Sequence, residues 1–248
     1  TFYTLDVKTC RAEWTADAGG AITSSPSFAF APLGESVEEG GGGNENVLFF
    51  AREDGTVYRY RTRTGAQLWE NKAGGSVTAP LLSVDSRVFV PSEDGRLYAY
   101  EQTPPGNLSW VYPPLEEDPL GPLTAAPLYQ DGTVIIVSED GTYPGNDGAT
   151  GEQVCRNTIN IAIGAAPSIV DNVAYLAASG SFYEFRPTTC QLLNSQLYGE
   201  FPVYASPVVI DNIAYITDGP SLLAFNIDTA LFEWRFRTSA TIRSSPTV

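Results

Sequence analysis

The sequence predicts an all-β chain of four-stranded antiparallel blades, the β-propeller architecture, and three observations predict it. A small residue followed by proline recurs at Ser25-Pro26, Ala79-Pro80, Ala126-Pro127, Ala166-Pro167, Ser206-Pro207 and Ser245-Pro246, the prolines 54, 47, 40, 40 and 39 residues apart. Turn dipeptides cut each interval into short alternating strands, and no stretch carries a helical period. Four residues after a recurring turn position stand Trp14 (from Cys10), Trp69 (from Gly65), Trp110 (from Gly106), Cys155 (from Gly151), Asn194 (from Cys190) and Trp234 (from Ala230). A period of about 40 residues with four strands is the size of one propeller blade.

The first long interval is swollen by a Gly/Glu-rich insertion, Gly34 to Asn46, and the second by a proline-rich loop, Pro113 to Pro122. Within a unit the proline opens the first strand (Val208-Val209-Ile210). It has no N–H to give a ladder, so it belongs at the start of an edge strand. A turn follows (Asp211-Asn212, Asp171-Asn172, Asp131-Gly132), then the second strand (Ile213 to Ile216, Val173 to Leu176, Arg87 to Val90). The second turn stands at Asp54-Gly55, Asp94-Gly95, Asp140-Gly141, Ser179-Gly180 and Asp218-Gly219. Asp-Gly predicts a two-residue hairpin, because glycine tolerates the positive φ such a turn needs. The third strand is Leu97 to Tyr100 or Leu222 to Phe225, and the fourth carries the tryptophan position. The reading is one domain, 1–248, with blades at about 1–16 (partial), 22–72, 77–112, 123–157, 164–196, 204–237 and 243–248 (partial). About six blades are expected in view, five complete, within a ring of six, seven or eight.

Composition limits what the chain does. It carries 14 basic and 29 acidic side chains, a formal net charge of −15, and no basic run offsets it, so nucleic acid is excluded as a partner. No apolar run is long enough to span a bilayer, and direct membrane insertion is not expected. Met is absent even at position 1, which suggests a processed or excised chain. There is no His, which removes the commonest general base and metal ligand and rules out a serine triad. Of three Cys, at least one has no partner within the chain.

The turn-to-tryptophan stretches resemble the docking motif of the pyrroloquinoline-quinone-type (PQQ-like) propeller repeat, roughly Ala-x-Asp-x-x-Thr-Gly-x-x-x-Trp. Asp6, Thr9 and Trp14 match it, as do Thr64, Gly65 and Trp69, then Asp147, Thr150 and Gly151, then Ala224, Thr229 and Trp234. The resemblance implies that Trp14, Trp69, Trp110 and Trp234 each pack on the turn of a neighbouring blade. Cys155 takes a tryptophan position and Cys190 a turn position, so family docking implies a Cys155–Cys190 disulfide. It also implies that Cys10 faces the tryptophan position of a preceding blade, either Trp234 or one in a longer parent.

Enzymes of this family bind the quinone and calcium, usually beside a disulfide between adjacent cysteines. This sequence has no adjacent pair and no acid-asparagine-acid set to nominate, so no catalytic, cofactor-binding or metal residue is assigned. Asn146-Asp147-Gly148 with Glu139-Asp140 has calcium-loop chemistry but lacks the alternating ligand run, and such residues more often stabilise turns. Glu35, Glu38, Glu39 and Glu45, with Glu116, Glu117 and Asp118, form acidic loops that are ordinarily solvated or else dock a basic partner. Arg59, Arg61 and Arg63 alternate, which reads as a solvated face. Asn107-Leu108-Ser109 is a candidate glycosylation sequon. The favoured reading is a non-catalytic extracytoplasmic scaffold (secreted, cell-surface, periplasmic or lumenal) that needs no cofactor. Its partners would be other proteins or further domains of its own polypeptide, as for the propeller lipoprotein of the outer-membrane barrel-assembly machinery. The alternatives are a fragment of a PQQ- and calcium-dependent dehydrogenase and a carbohydrate- or ligand-binding module.

Overall fold

The computed structural model describes residues 1–32, 44–199, 203 and 205–247, and all regular structure in them is strand. The alternating runs become antiparallel meanders. The first sheet pairs β1 (Phe2–Leu5) with β2 (Ala12–Ala16). The second runs β3 (Ser27–Pro32), β4 (Asn44–Ala51), β5 (Thr56–Arg61), β6 (Gln67–Lys72); the third runs β7 (Leu82–Val84), β8 (Arg87–Pro91), β9 (Leu97–Glu101), β10 (Leu108–Tyr112). The fourth runs β11 (Leu128–Gln130), β12 (Thr133–Ile135), β13 (Thr142–Asp147), β14 (Gln153–Thr158). The fifth runs β15 (Ser168–Val170), β16 (Val173–Ala178), β17 (Ser181–Phe185), β18 (Leu192–Leu197). The sixth runs β19 (Val208–Ile210), β20 (Ile213–Asp218), β21 (Ser221–Asn226), β22 (Leu231–Arg237). Five sheets thus have four strands in chain order, and residues 243–247, read as a further first strand, form none. Two compact units divide the chain, Thr1–Thr124 and Ala125–Val248, with three sheets each.

Local chemistry sets the hairpins. Pro26, Pro127, Pro167 and Pro207 directly precede the edge strands β3, β11, β15 and β19, where a missing N–H costs no ladder bond. Asp171-Asn172 and Asp211-Asn212 are true two-residue turns with both residues at positive φ (49° and 62°, 47° and 63°), which Asp and Asn tolerate. Asp54-Gly55 is not one, contrary to expectation. The connection runs from Arg52 to Gly55, closed by Gly55 N–H to Arg52 O at 3.0 Å, and only Gly55 has positive φ (88°). The aspartate instead accepts from inside the loop, Thr56 N–H reaching Asp54 Oδ1 at 3.0 Å. Ser92 to Gly95 and Ser138 to Gly141 close in the same way.

In every sheet the last two strands share one irregularity. The tryptophan position pairs with a fixed partner (Trp14 with Thr4, Trp69 with Arg59, Trp110 with Ala99, Cys155 with Gly145, Asn194 with Glu184, Trp234 with Ala224), and the register slips at the next residue toward the turn. A bulge at that point re-aims the side chain. Faces then alternate, and within each unit cores form between consecutive sheets. Leu48, Phe50, Tyr58 and Tyr60 of the second sheet meet Phe2, Trp14 and Ala16 of the first. Its other face, with Val47, Phe49, Val57 and Trp69, meets Val88, Val90, Tyr98 and Tyr100 of the third. In the second unit one core joins Ile135, Val137 and Tyr143 to Leu176, Tyr183 and Phe185, and another joins Ala177 and Phe182 to Ile216, Leu223 and Phe225.

The arginine stripe departs from expectation. Arg59 is fully buried beside the Phe49 ring, 5.9 Å from its centroid, because its strand position faces the inter-sheet core. Burial, with the nearby Arg61 charge, lowers its guanidinium to about 10, against the pull of Glu45. Arg61 pairs with Glu45 at 2.9 Å, and Arg63 lies exposed in the following turn. Glu45 is therefore tied into a strand pair rather than offered to a partner. Glu35, Glu38 and Glu39 lie outside the described residues.

Candidate functional site

The seams between consecutive sheets gather most of the residues singled out in the sequence. Each is built from a turn that stabilises itself. Asp6 Oδ1 accepts from Lys8 N–H, Thr9 N–H and Thr9 Oγ1 (3.0, 2.7 and 2.8 Å), and Asp147 Oδ1 accepts from Ala149 N–H, Thr150 N–H and Thr150 Oγ1 (2.9, 2.8 and 3.1 Å). These donors hold the Asp6 carboxyl below the usual carboxylate range, the Thr9 N–H first among them. The turn ends in a left-handed residue: Cys10 (φ 55°), Gly65 (70°), Gly106 (78°), Gly151 (79°), Cys190 (52°) or Ala230 (57°).

At Gly65, Gly106 and Cys190 the previous sheet lays its docking side chain onto that residue. Trp14 lies on Gly65, where an added Cβ would come within 2.6 Å of the indole, and its Nε1–H donates to Thr62 O at 2.6 Å. Trp69 repeats the arrangement on Gly106, donating to Gln102 O at 3.1 Å, and is buried. Tyrosines floor both seats, Tyr60 6.1 Å from Trp14 and Tyr100 6.3 Å from Trp69. Two residues on, Asn71 Nδ2 donates to Gly106 O at 2.7 Å.

The seam between the fourth and fifth sheets keeps this plan with other chemistry. Cys155 and Cys190 form a disulfide, S–S 2.11 Å, Cα–Cα 5.6 Å. The sulfur replaces the indole, and Cys190 replaces the glycine. Asn157, two residues past Cys155, donates Nδ2 to Cys190 O at 3.0 Å, just as Asn71 does.

The other two tryptophans are each less buried than Trp69. Trp110 is half-buried, 5.6 Å from the Phe89 ring of its own sheet. Trp234 is 45% exposed, and all of β22 is exposed. The seat for a docking tryptophan is the turn of the following sheet, and no sheet follows β22 among the described residues. The Trp234 ring lies 6.0 Å from that of Tyr215 in its own sheet. Cys10 is free and exposed. Asn107 is exposed in the sequon, its Nδ2 3.3 Å from Glu101 Oε2.

The calcium-loop residues do not converge. Asp140 holds the turn before β13, accepting Thr142 N–H at 2.8 Å, and Asp147 holds the turn after it. A six-residue strand of ~20 Å separates them. Asn146 is buried with Nδ2 on Gly151 O at 3.2 Å. No group of three His, Cys, Asp or Glu side chains with metal-site geometry occurs among the described residues. An open cleft of about 370 Å³ lies beside Ala21, Arg52, Glu53, Asp54 and Ser76. Its one cation, Arg52, is neutralised by Asp54 at 2.9 Å. In the next sheet burial pushes the Tyr98 phenol up to about 12, and its 2.6 Å hydrogen bond to Asp94 acts in the same sense. Sequence reasoning put Arg59 on a solvated face, where its place opposite Trp69 was the one contrary signal, and it missed the cleft, which no motif marks.

Residues 1–121 match the family described as outer membrane protein assembly factor BamB. The crystal structure of BamB from Moraxella catarrhalis superposes with a TM-score of 0.72 at 21% identity, over 94% of this chain and 69% of that one. The computationally designed Ika8 protein superposes with a TM-score of 0.68 at 19% identity, over 87% of this chain and 64% of that one. No curated protein matches. The fold these likenesses share is the β-propeller fold.

Proposed function

We propose, starting from the PQQ-like repeat family that the BamB match and the propeller likeness support, that the chain is a non-catalytic interaction scaffold working outside the cytosol within a larger assembly. The observation that carries this reading is an aromatic pair on an edge strand. Phe28 and Phe30 of β3 are 64% and 68% exposed on one face, while Ala29 and Ala31 between and beyond them face the core. Two adjacent exposed phenylalanines beside an open strand edge suit an extended protein segment that adds to the sheet. The Cys155–Cys190 disulfide supports an oxidising compartment.

The acidic turn residues supply no catalytic chemistry in this reading, since each accepts from its own loop, and PQQ and calcium are not required. The test is photocrosslinking from a benzoylphenylalanine at position 30 in the secreted or periplasmic protein. The expected result is a discrete protein adduct that is lost in Phe28→Ser. An absence of any adduct, or dye reduction by the purified chain given PQQ and calcium, overturns the scaffold reading.

A further inference from the structure

We infer that two copies of this chain pair through β18, the outer strand of the fifth sheet, antiparallel about a two-fold axis at Ser195. Among the described residues β18 bonds on one side only, to β17. The fifth sheet packs against the fourth on one face and the sixth on the other, so the edge is open with both neighbouring sheets in place. Charge, backbone and side-chain register each fit it to a second copy.

Thr188 to Gly199 carries no charged side chain, in a chain of net charge −15. Outer strands are ordinarily guarded against pairing by charge or proline. Glu13 guards β2, Glu70 and Lys72 guard β6, Arg156 guards β14, and Glu233, Arg235 and Arg237 guard β22. β10 has no charge, but it runs straight into Pro113 and Pro114. β18 has neither guard, and two such strands meet without bringing like charges together.

Tyr198 N–H donates to Gly180 O at 2.8 Å, so it points into its own sheet. Antiparallel strands alternate, and Ser195 and Leu197 therefore aim their N–H and C=O groups at the open edge. Exposure alternates too: Leu193, Ser195 and Leu197 are exposed, while Asn194 and Gln196 are half-buried. Leu197 is 81% exposed and Leu193 40%. Pairing edge to edge about a two-fold axis joins like face to like face, so opposed residues lie an even number of positions apart. An axis at Ser195 sets Leu193 opposite Leu197 of the second copy at both ends, and Asn194 opposite Gln196 on the other face. An axis at Asn194 sets Leu193 opposite Ser195 and Leu197 opposite Gln191. One at Gln196 sets Leu197 opposite Ser195 and Leu193 opposite Gly199. Of the three, only the Ser195 axis matches leucine with leucine, the pair that stabilises a ladder most.

Six residues paired along ~20 Å bury on the order of 1,000 Å² in total, less than a standard interface, so the association is reversible. Repulsion between two chains of −15 opposes it, and salt strengthens it.

The purified chain should show a weight-average mass that rises toward twice the monomer's between about 10 and 300 μM and no further, more steeply at about 0.5 M NaCl. Leu197→Lys should stay monomeric with an unchanged thermal midpoint, because that side chain already stands in solvent. Thiols then read the register in a Cys10→Ser background, since directly opposed residues about 5.5 Å apart at Cα are within disulfide reach. Oxidised with diamide, Ser195→Cys should give a dimer joined at position 195 of both copies. Leu193→Cys and Leu197→Cys, carrying tags of different size, should cross-link between tags when mixed and not within either. A dimer that Leu197→Lys leaves intact, growth beyond two copies, or cross-links as ready within a tag as between tags overturns the proposal. So does a monomeric mass throughout, the result for an edge that takes a different protein instead.

Discussion

Gly65 and Gly106 meet two requirements at once, a left-handed backbone and room for an indole against Cα. Gly65→Ala violates both and should lower the unfolding free energy by roughly 2 kcal/mol or more, read from the denaturant midpoint. Gly132 separates the two requirements, since it has φ 81° but nothing within 4 Å of an added Cβ. Asn172 and Asn212 hold the equivalent turn position, so Gly132→Asn should stay within about 0.5 kcal/mol of the parent. Trp69→Ala empties a buried seat and should cost ~3–5 kcal/mol, whereas Trp234→Ala in dilute monomer should cost less than about 1. Equal losses would contradict the difference in burial. At this scale the sequence was legible where spacing carried the information: the tryptophan positions, the left-handed turn residues and the two cysteines fall into one register. It was not legible where tertiary packing overrode the side chain's usual habit. Arg59 reads as solvent-facing by charge, yet its strand position places it in the core beside Phe49.

The sheet seams differ in kind, and the disulfide allows that difference to be measured. It closes a segment whose ends are 35 residues apart, and loop-closure entropy makes that worth on the order of 3–4 kcal/mol. Replacing both cysteines by Ala should speed amide exchange in β14 and β17 while leaving β5 and β6 unchanged; uniform acceleration would mean the bond is not a local tie. The Tyr98–Asp94 pair gives a second element-scale test. The folded phenol titrates near 12 against an ordinary 10, so the folded state holds this proton more tightly than the unfolded chain does. Its stabilisation is complete below pH 10 and is lost as pH rises from 10 to 12. Tyr98→Phe should flatten alkaline unfolding in that window. Strand order and most strand limits were legible, because proline steps and Asp-Asn turns punctuate them. The Asp-Gly connections were not, because a four-residue loop and a two-residue loop share the same final dipeptide. What distinguishes them is the carbonyl that the Gly N–H reaches.

For the molecule as a whole, a charge of −15 on 248 residues opposes compactness. Raising salt from 20 to 500 mM NaCl should therefore raise the thermal midpoint by a few degrees, and a fall would mean that ion pairs such as Arg61–Glu45 dominate. The forty-residue repeat made the sheet count legible, since each copy must bury both faces against others. One consequence concerns biosynthesis. Three thiols can make three different single bridges, and only one suits the finished protein. The odd sulfhydryl, standing in a solvent-facing loop near the start of the chain, is translated well before its two rivals. It can thus capture either of them and hold the nascent polypeptide in a dead-end isomer that needs shuffling. Cys10→Ser should raise the yield of correctly bridged material from an oxidising refold, and the gain should shrink when an isomerase is supplied.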